Sequence, residues 1–169
     1  MFKYCPNCGA EIKDQTKQGF KCPSCHKSTF YNSKPTATVT PVYREKEILV
    51  GVREQDPHKG SFELLGGFLR NGEDPKDGAV REFQEETGVM IDKKDLRLFD
   101  VLVDKYPYEG NTYFTLNFFY LITFEKRIIL ESSEEVSRFL WMNLDRRVHM
   151  AFEYENVVVD KLAKTTGRE

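Results

Sequence analysis

The chain has 169 residues, of which 40% are hydrophobic and 13% are aromatic, and its formal net charge is −2. That composition supports a globular core and excludes an intrinsically disordered chain. The small net charge excludes a strong electrostatic surface for sequence-independent nucleic-acid binding, and no apolar run reaches the roughly 18 residues of a membrane span.

The first predicted element is a pair of C-x2-C motifs within the first 25 residues. The starting sequence MFKYCPNCGA lacks the features of a signal peptide, so we expect a cytoplasmic protein, in which disulfides are disfavoured. Two such motifs separated by 13 residues can bring four thiolates to a tetrahedral Zn²⁺. A redox C-x-x-C pair and plain buried cysteines are the alternatives, and the two paired motifs favour structural zinc. The expected ligands are Cys5, Cys8, Cys22 and Cys25.

A change of composition near residues 33–35 divides the chain into a zinc ribbon, residues 1–34, and a larger domain, residues 35–169. The β-branched runs 36–43 and 46–53 predict a hairpin, in which Pro41 requires an edge or bulge position. Further strands are predicted at 62–65, 96–104, 113–124 and 139–143, followed by an amphipathic helix from Glu153 to Lys164. This pattern predicts an α/β domain with a mixed sheet and helices on its faces.

The clearest helix lies between two strands. Asp74 is suited to the N-cap, Pro75 to the first helical position and Gly88 to the C-terminal residue that ends the helix. Three glutamates at i, i+3 and i+4 spacing converge on one face of this helix, where like charges repel one another. They are Glu82, Glu85 and Glu86.

A solvated acidic face is the ordinary interpretation of such a cluster, but three features oppose it. The glutamates lie near the negative end of the helix dipole, where they need compensation. Arg81 lies within the cluster and can orient a carboxylate through a bidentate pair. The preceding Gly66 and Gly67 allow the backbone to approach a metal or phosphate closely. A hard divalent cation such as Mg²⁺ would bind carboxylates arranged in this way.

The segment from Gly67 to Val89 resembles the Nudix box, G-x5-E-x7-R-E-U-x-E-E-x-G-U, in which U is a bulky aliphatic or aromatic residue. The resemblance implies an α/β/α sandwich and Mg²⁺- or Mn²⁺-dependent hydrolysis of a nucleoside diphosphate linked to another moiety, with release of a nucleoside monophosphate. It also implies that the carbonyl of Gly66 and the last three glutamates bind metal, supported by Glu73 and Arg81. Every fixed position of the box is filled, by Gly67, Glu73, Arg81, Glu82, Phe83, Glu85, Glu86, Gly88 and Val89.

A zinc ribbon before a Nudix domain is similar to the branch of NADH, FAD and ADP-ribose pyrophosphatases. The S-Q-P-W-P-F-P stretch of the NADH enzymes is absent from this sequence, so NADH specificity is not implied. The alternatives are a nucleoside-triphosphate or capped-RNA pyrophosphohydrolase and a non-catalytic Nudix sensor of ADP-ribose or NAD. We expect a small nucleotide as substrate, no membrane partner and no nucleic-acid partner, and we leave a homodimer open.

Residues outside the box complete the predicted site. Arg53 and Phe62 are candidates for the phosphate or ribose side, although Arg53 could equally be a solvated charge. Resemblance to this branch places a glutamate shortly before the strand that carries Trp141, and Glu135 is our candidate for the general base. Glu134 and Glu131 are the alternatives, and a solvated acidic loop is the competing interpretation. Three tyrosines could stack on a base, cap a loop or pack on a partner subunit: Tyr106, Tyr108 and Tyr113.

Overall fold

A computed structural model of the protein describes residues 2–108, 110–146 and 148–166, without the side chains of Tyr108 and Thr166. The chain forms two compact units, Met1–Ser33 and Lys34–Glu169. In the smaller unit, β1 (Gly19–Lys21) pairs antiparallel with β2 (Ser28–Phe30). Its core contains Ile12 and Phe20 together with two of the cysteines. In the part of the chain that the structure describes, no helix is long and apolar enough to span a membrane.

The larger unit is built on a seven-stranded sheet with the order β5-β4-β3-β8-β7, to which β6 adds beside β3 and β9 beside β4. Strands β3 and β8 are parallel and the other pairs are antiparallel, so the predicted mixed sheet is confirmed. The strands are β3 (Lys34–Tyr43), β4 (Glu47–Arg53), β5 (Phe62–Glu63), β6 (Leu65–Phe68), β7 (Arg97–Tyr108), β8 (Asn111–Phe124) and β9 (Val136–Asn143). The helices are α1 (Pro75–Thr87) and α2 (Glu153–Thr166).

Hydrophobic side chains fill both faces of this sheet. Phe83 of α1 packs with Val39 and Leu65 on one face, and Val158 of α2 packs with Phe119 on the other. Alternate residues of β3 and β8 supply the two clusters because successive side chains of a strand point to opposite faces. The result is a sheet covered by one helix on each side.

The expectation for Pro41 was wrong in one respect, because β3 is a central strand and not an edge. Strand β6 pairs with residues 36–39 of β3, and β4 pairs with residues 42–43. Pro41 therefore lies in the gap between these two neighbours, where a missing backbone N–H costs no ladder hydrogen bond. The hairpin of β3 and β4 itself is confirmed, with Val42 opposite Ile48.

Strands β7 and β8 extend further than the sequence predicts. Tyr106 lies beyond the predicted end of its strand at residue 104, yet it pairs with Tyr113, the first residue of the next predicted strand. Both tyrosines therefore belong to strands and not to a loop. Exposure alternates along this part of β7, with Asp104 and Tyr106 half-buried and Lys105 exposed. That period of two is typical of a half-buried strand and explains the extension.

Candidate functional site

The glutamate helix α1 has the local structure that its sequence predicts. The side chain of Asp74 accepts a hydrogen bond from the backbone N–H of Lys76 at 2.9 Å, and Pro75 opens the helix. Gly88 ends it with φ of 71°, a left-handed conformation in which glycine is favoured. Ala79 and Phe83 are fully buried against the sheet. These contacts fix the rotation of α1 and therefore the directions of its glutamates.

Arg81 binds three carboxylates in and before the helix. Its Nε and Nη2 donate to Glu73 at 2.7 and 2.8 Å, which forms a bidentate pair. Its Nη1 donates to Glu82 at 2.6 Å and to Glu85 at 2.9 Å. The hydrogen bond from Arg81 lowers the pKa of Glu73 to about 2, so Glu73 is ionised at neutral pH. Arg81 thus offsets the repulsion within the cluster and holds Glu82 and Glu85 in place.

Glu86 lies outside this network and is buried. Among the described residues, its Oε2 has no hydrogen-bond partner. Burial raises the pKa of Glu86 well above its usual value, and the charges of Glu63, Glu82 and Glu135 add to that effect. A buried carboxylate without compensation is costly, and a cation is the usual means of compensating one. The unpartnered oxygen therefore fits a bound metal.

The two glycines before α1 bring backbone and carboxylates into contact. A Cβ on Gly67 would lie 2.7 Å from Oε2 of Glu82, closer than real contacts allow. Gly66 has φ of 149°, and a Cβ there would lie 2.2 Å from the backbone oxygen of Ala37. Only glycine lets β6 pass between β3 and the carboxylates in this way. The donor set is then entirely oxygen, which suits Mg²⁺ or Mn²⁺.

A cleft of about 760 Å³ opens beside these groups. Glu86, Gly66 and Gly67 lie on its lining. Glu82 lies against Gly67 and binds Arg81, whereas Glu85 is exposed and pairs with Arg70 and Arg81. The cleft is therefore in contact with the carboxylate cluster of α1 through Glu86 and the two glycines.

Several residues expected outside the box also lie on the cleft lining. Arg53, Tyr106, Tyr113 and Glu135 are among them. Glu135 is exposed, as are the sequence alternatives Glu134 and Glu131, but neither alternative lines the cleft. The structure places Phe62 elsewhere, since its side chain packs against the core cluster that includes α2. The side chain of Tyr108 lies outside the described part of the structure.

Sequence reasoning missed two buried carboxyl groups of the cleft. Glu63 forms an ion pair with Arg53, and Arg53 also donates to the Pro57 carbonyl at 2.8 Å. Burial raises the pKa of Glu63 and Arg53 opposes this rise. Glu155 accepts the backbone N–H of Leu64 at 2.9 Å, and burial raises its pKa to about 8. The sequence does give a signal for Glu63, because it is a charged residue within a short apolar strand. It gives none for Glu155, which resembles an ordinary acidic residue in the first turn of a helix.

Aromatic rings form another part of the lining that the sequence does not reveal in full. Tyr106 contacts Phe68 and Phe152 with ring centroids 5.7 and 5.6 Å apart, and Phe152 stacks on Tyr154 at 5.4 Å. The guanidinium of Arg53 lies 5.1 Å from the centroid of the Phe152 ring. This run of rings can accept the planar face of a base.

The four cysteines form a separate cluster in the smaller unit. Their Sγ atoms all lie within 4.8 Å of one another, with Cys5 and Cys25 at 3.8 Å and Cys8 and Cys22 at 3.6 Å. Zinc–sulfur bonds of about 2.3 Å in a tetrahedron require sulfur separations of about 3.8 Å. All four cysteines are free thiols. The cluster can therefore hold a tetrahedral metal ion.

Comparison with known proteins places this architecture in a family. The NUDIX domain matches residues 33–158. An ADP-ribose pyrophosphatase of Methanocaldococcus jannaschii is 27% identical over 126 residues, which cover 75% of this chain and 72% of that protein. The NAD-capped RNA hydrolase NudC of Haemophilus influenzae is 34% identical over 100 residues, which cover 57% of this chain and 37% of that protein. This chain therefore spans little more than a third of that hydrolase.

The fold is also found in solved structures. A NUDIX hydrolase from Nitrosomonas europaea superposes with a TM-score of 0.62 at 22% sequence identity. The superposition covers 98% of this chain and 90% of that one. At this level of identity the likeness establishes the fold alone.

Proposed function

The chain belongs to the NUDIX domain family, and from that premise we propose that it is a divalent-metal-dependent pyrophosphohydrolase. Its substrate would be a nucleoside diphosphate linked to another moiety, such as ADP-ribose, FAD or NADH. Water would cleave the diphosphate bridge and release a nucleoside monophosphate. Similarity to the ADP-ribose pyrophosphatase over 75% of this chain supports the substrate class.

One observation carries the proposal, namely the buried Glu86 carboxyl group with an oxygen that has no partner among the described residues. It lies on the cleft, close to the charges of Glu63, Glu82 and Glu135. A Mg²⁺ or Mn²⁺ ion would repay the cost of this arrangement. The ligands that we assign to it are the Gly66 carbonyl and the carboxylates of Glu82, Glu85 and Glu86.

The other assigned residues would orient the metal ligands and accept the proton of the attacking water. When bound, the cation would lower the pKa of a water and offset the charge of the diphosphate. Glu73 and Arg81 orient Glu82 through the hydrogen bonds already described. Glu135 would accept a proton from the attacking water as the water oxygen bonds to one phosphorus and the bond from that phosphorus to the bridging oxygen breaks. Its position on the cleft lining supports this role.

Other residues of the cleft lining would contact the nucleotide. We assign Tyr106 and Tyr113 to stacking on the base, since both line the cleft and aromatic rings stack on bases. Arg53 is assigned to the phosphate or ribose side, held there by its ion pair with Glu63. The sequence prediction for Tyr108 remains a prediction.

A second candidate substrate is RNA capped with a dinucleotide. Its support is the similarity to proteins named NAD-capped RNA hydrolases, at 34% identity over 57% of this chain. Such a cap carries the same adenosine diphosphate bridge, so the same metal site would serve. A non-catalytic sensor is less well supported, because sensing alone gives no reason for the complete set of box glutamates.

We also propose that the cysteine cluster binds structural zinc. Four thiolates close a tetrahedral site and leave no open position for catalysis. The sulfur separations of 3.6 and 3.8 Å support this assignment.

The deciding experiment is a substrate panel of ADP-ribose, NADH, FAD, ADP-sugars, nucleoside triphosphates and NAD-capped RNA with Mg²⁺ or Mn²⁺. Products are resolved by chromatography. We expect a nucleoside monophosphate from at least one diphosphate-linked substrate, with activity abolished by EDTA and by Glu86→Gln. Glu134→Gln is the matched control and should retain activity. Folded protein that turns over nothing in the panel would refute the enzyme proposal.

A further inference from the structure

Asn117 is a fully buried amide in the middle of β8, opposite Thr36 of β3. Its orientation follows from its neighbours. One side of the amide lies 3.2 Å from the backbone oxygen of Leu102, which can only accept a hydrogen bond. The atom facing Leu102 must therefore be the nitrogen Nδ2, and the oxygen Oδ1 must face Thr36.

That orientation determines what the Thr36 hydroxyl can offer. Its Oγ1 lies 2.6 Å from Oδ1 of Asn117, and an amide oxygen only accepts. Thr36 must therefore donate its single proton to Asn117. The second N–H of the amide is occupied as well, since it donates to Thr115 Oγ1 at 3.0 Å. The amide has no alternative arrangement that would release the Thr36 proton.

Thr36 nevertheless lies on the lining of the cleft. Toward a ligand it can present only lone pairs, so it is fixed as a hydrogen-bond acceptor. Phosphate oxygens are acceptors too and would be disfavoured beside it. An exocyclic amine would be favoured, because it supplies the missing donor.

The surroundings of Thr36 suit a planar group. Phe68 is the residue opposite Thr36 on β6, and its ring contacts Tyr106 at 5.7 Å. Phe68 and Tyr106 both line the cleft, as does Thr115. A base stacked on these rings would bring its polar edge towards the hydroxyl groups of the sheet.

We propose that Thr36, held as an acceptor by Asn117, determines the specificity of the cleft for an amino-bearing base such as adenine. The inference rests on the proposed pyrophosphohydrolase function and adds to it the residue that selects the base of the substrate. Hypoxanthine is the informative contrast, because it replaces the amine of adenine with a carbonyl and so sets two acceptors against each other.

The test compares kcat/KM for ADP-ribose with that for its inosine counterpart, IDP-ribose. An unpaired acceptor contact of this kind is expected to favour ADP-ribose by about tenfold or more. Thr36→Val should bring the ratio close to unity, whereas Thr36→Ser, which keeps the hydroxyl group, should preserve it. Thr123→Val, on an exposed position of the same strand as Asn117, is the control. Equal kcat/KM for the two substrates, or a ratio unchanged in Thr36→Val, would overturn the inference while leaving the proposed function intact.

A binding measurement separates the two proposals if ADP-ribose is not hydrolysed. Calorimetry on the metal-free protein would compare AMP with IMP, which differ only in the base. Tighter binding of AMP, lost in Thr36→Val, would support the subsite even though the proposed activity had failed. Equal binding of AMP and IMP, or binding of neither, would overturn the inference. Equal binding is the result expected if the protein contacts only the ribose.

Discussion

Replacing Gly67 with alanine tests whether the carboxylate of Glu82 must occupy its present position. The new Cβ would lie 2.7 Å from Oε2 and 2.8 Å from Cδ of Glu82, whereas ordinary contacts begin near 3.4 Å. Glu82 would have to retreat by about 0.7 Å, and displacement of a reactive group by about 1 Å can cost about a hundredfold in rate. We therefore expect kcat to fall by about tenfold to a hundredfold.

Gly67→Ala should lower thermal stability less than it lowers kcat, because the atoms that clash with the new Cβ belong to the end of the Glu82 side chain. Gly66→Ala is the matched comparison, since its Cβ would lie 2.2 Å from the backbone oxygen of Ala37, and it should unfold at a clearly lower temperature. The assays are steady-state kinetics on the active substrate and thermal denaturation of both variants. A Gly67→Ala protein with kcat within about twofold of wild type would refute the assignment of Glu82. A loss of stability as large as that of Gly66→Ala would show that the Glu82 side chain does not take up the clash.

Three further predictions address the other carboxylates and the cysteines. Burial raises the pKa of Glu155 from 4.5 to about 8, so its contribution to stability is complete below the lower value and is lost as pH rises through the upper one. Urea unfolding in EDTA between about pH 5 and about pH 8.5 should show a weaker pH dependence in Glu155→Gln, and an unchanged dependence would contradict this. Glu135→Gln should lower kcat with little change in KM while Glu134→Gln does not, and equal rates in both variants would mean that the base lies elsewhere. Purified protein should contain one zinc per chain by elemental analysis, and hydrogen exchange should show Cys22→Ser loosening residues 2–33 but not the larger unit; a metal-free wild type would exclude the zinc site.

The sequence determined the parts of this protein whose signals are local. Asp74, Pro75 and Gly88 mark the ends of α1 because capping depends on residues within one turn of the chain. The spacing of Glu82 and Glu86 on that helix follows from 3.6 residues per turn. The cysteine motifs are local in the same sense, since each C-x2-C turn brings its own two thiols together. Hence the resemblance to the Nudix box could be recognised before any fold was known.

Only the tertiary structure decided which other residues reach the cleft and in what state. Thr36 and Asn117 are 81 positions apart, and their hydrogen bond exists because β3 and β8 pair in parallel. Glu155 reaches Leu64 across 91 positions, and its shifted pKa comes from burial. Burial and strand register depend on the whole chain, because each side chain's surroundings are supplied by segments distant in sequence. A list of residues cannot state which hydroxyl is an acceptor or which carboxyl group has no partner.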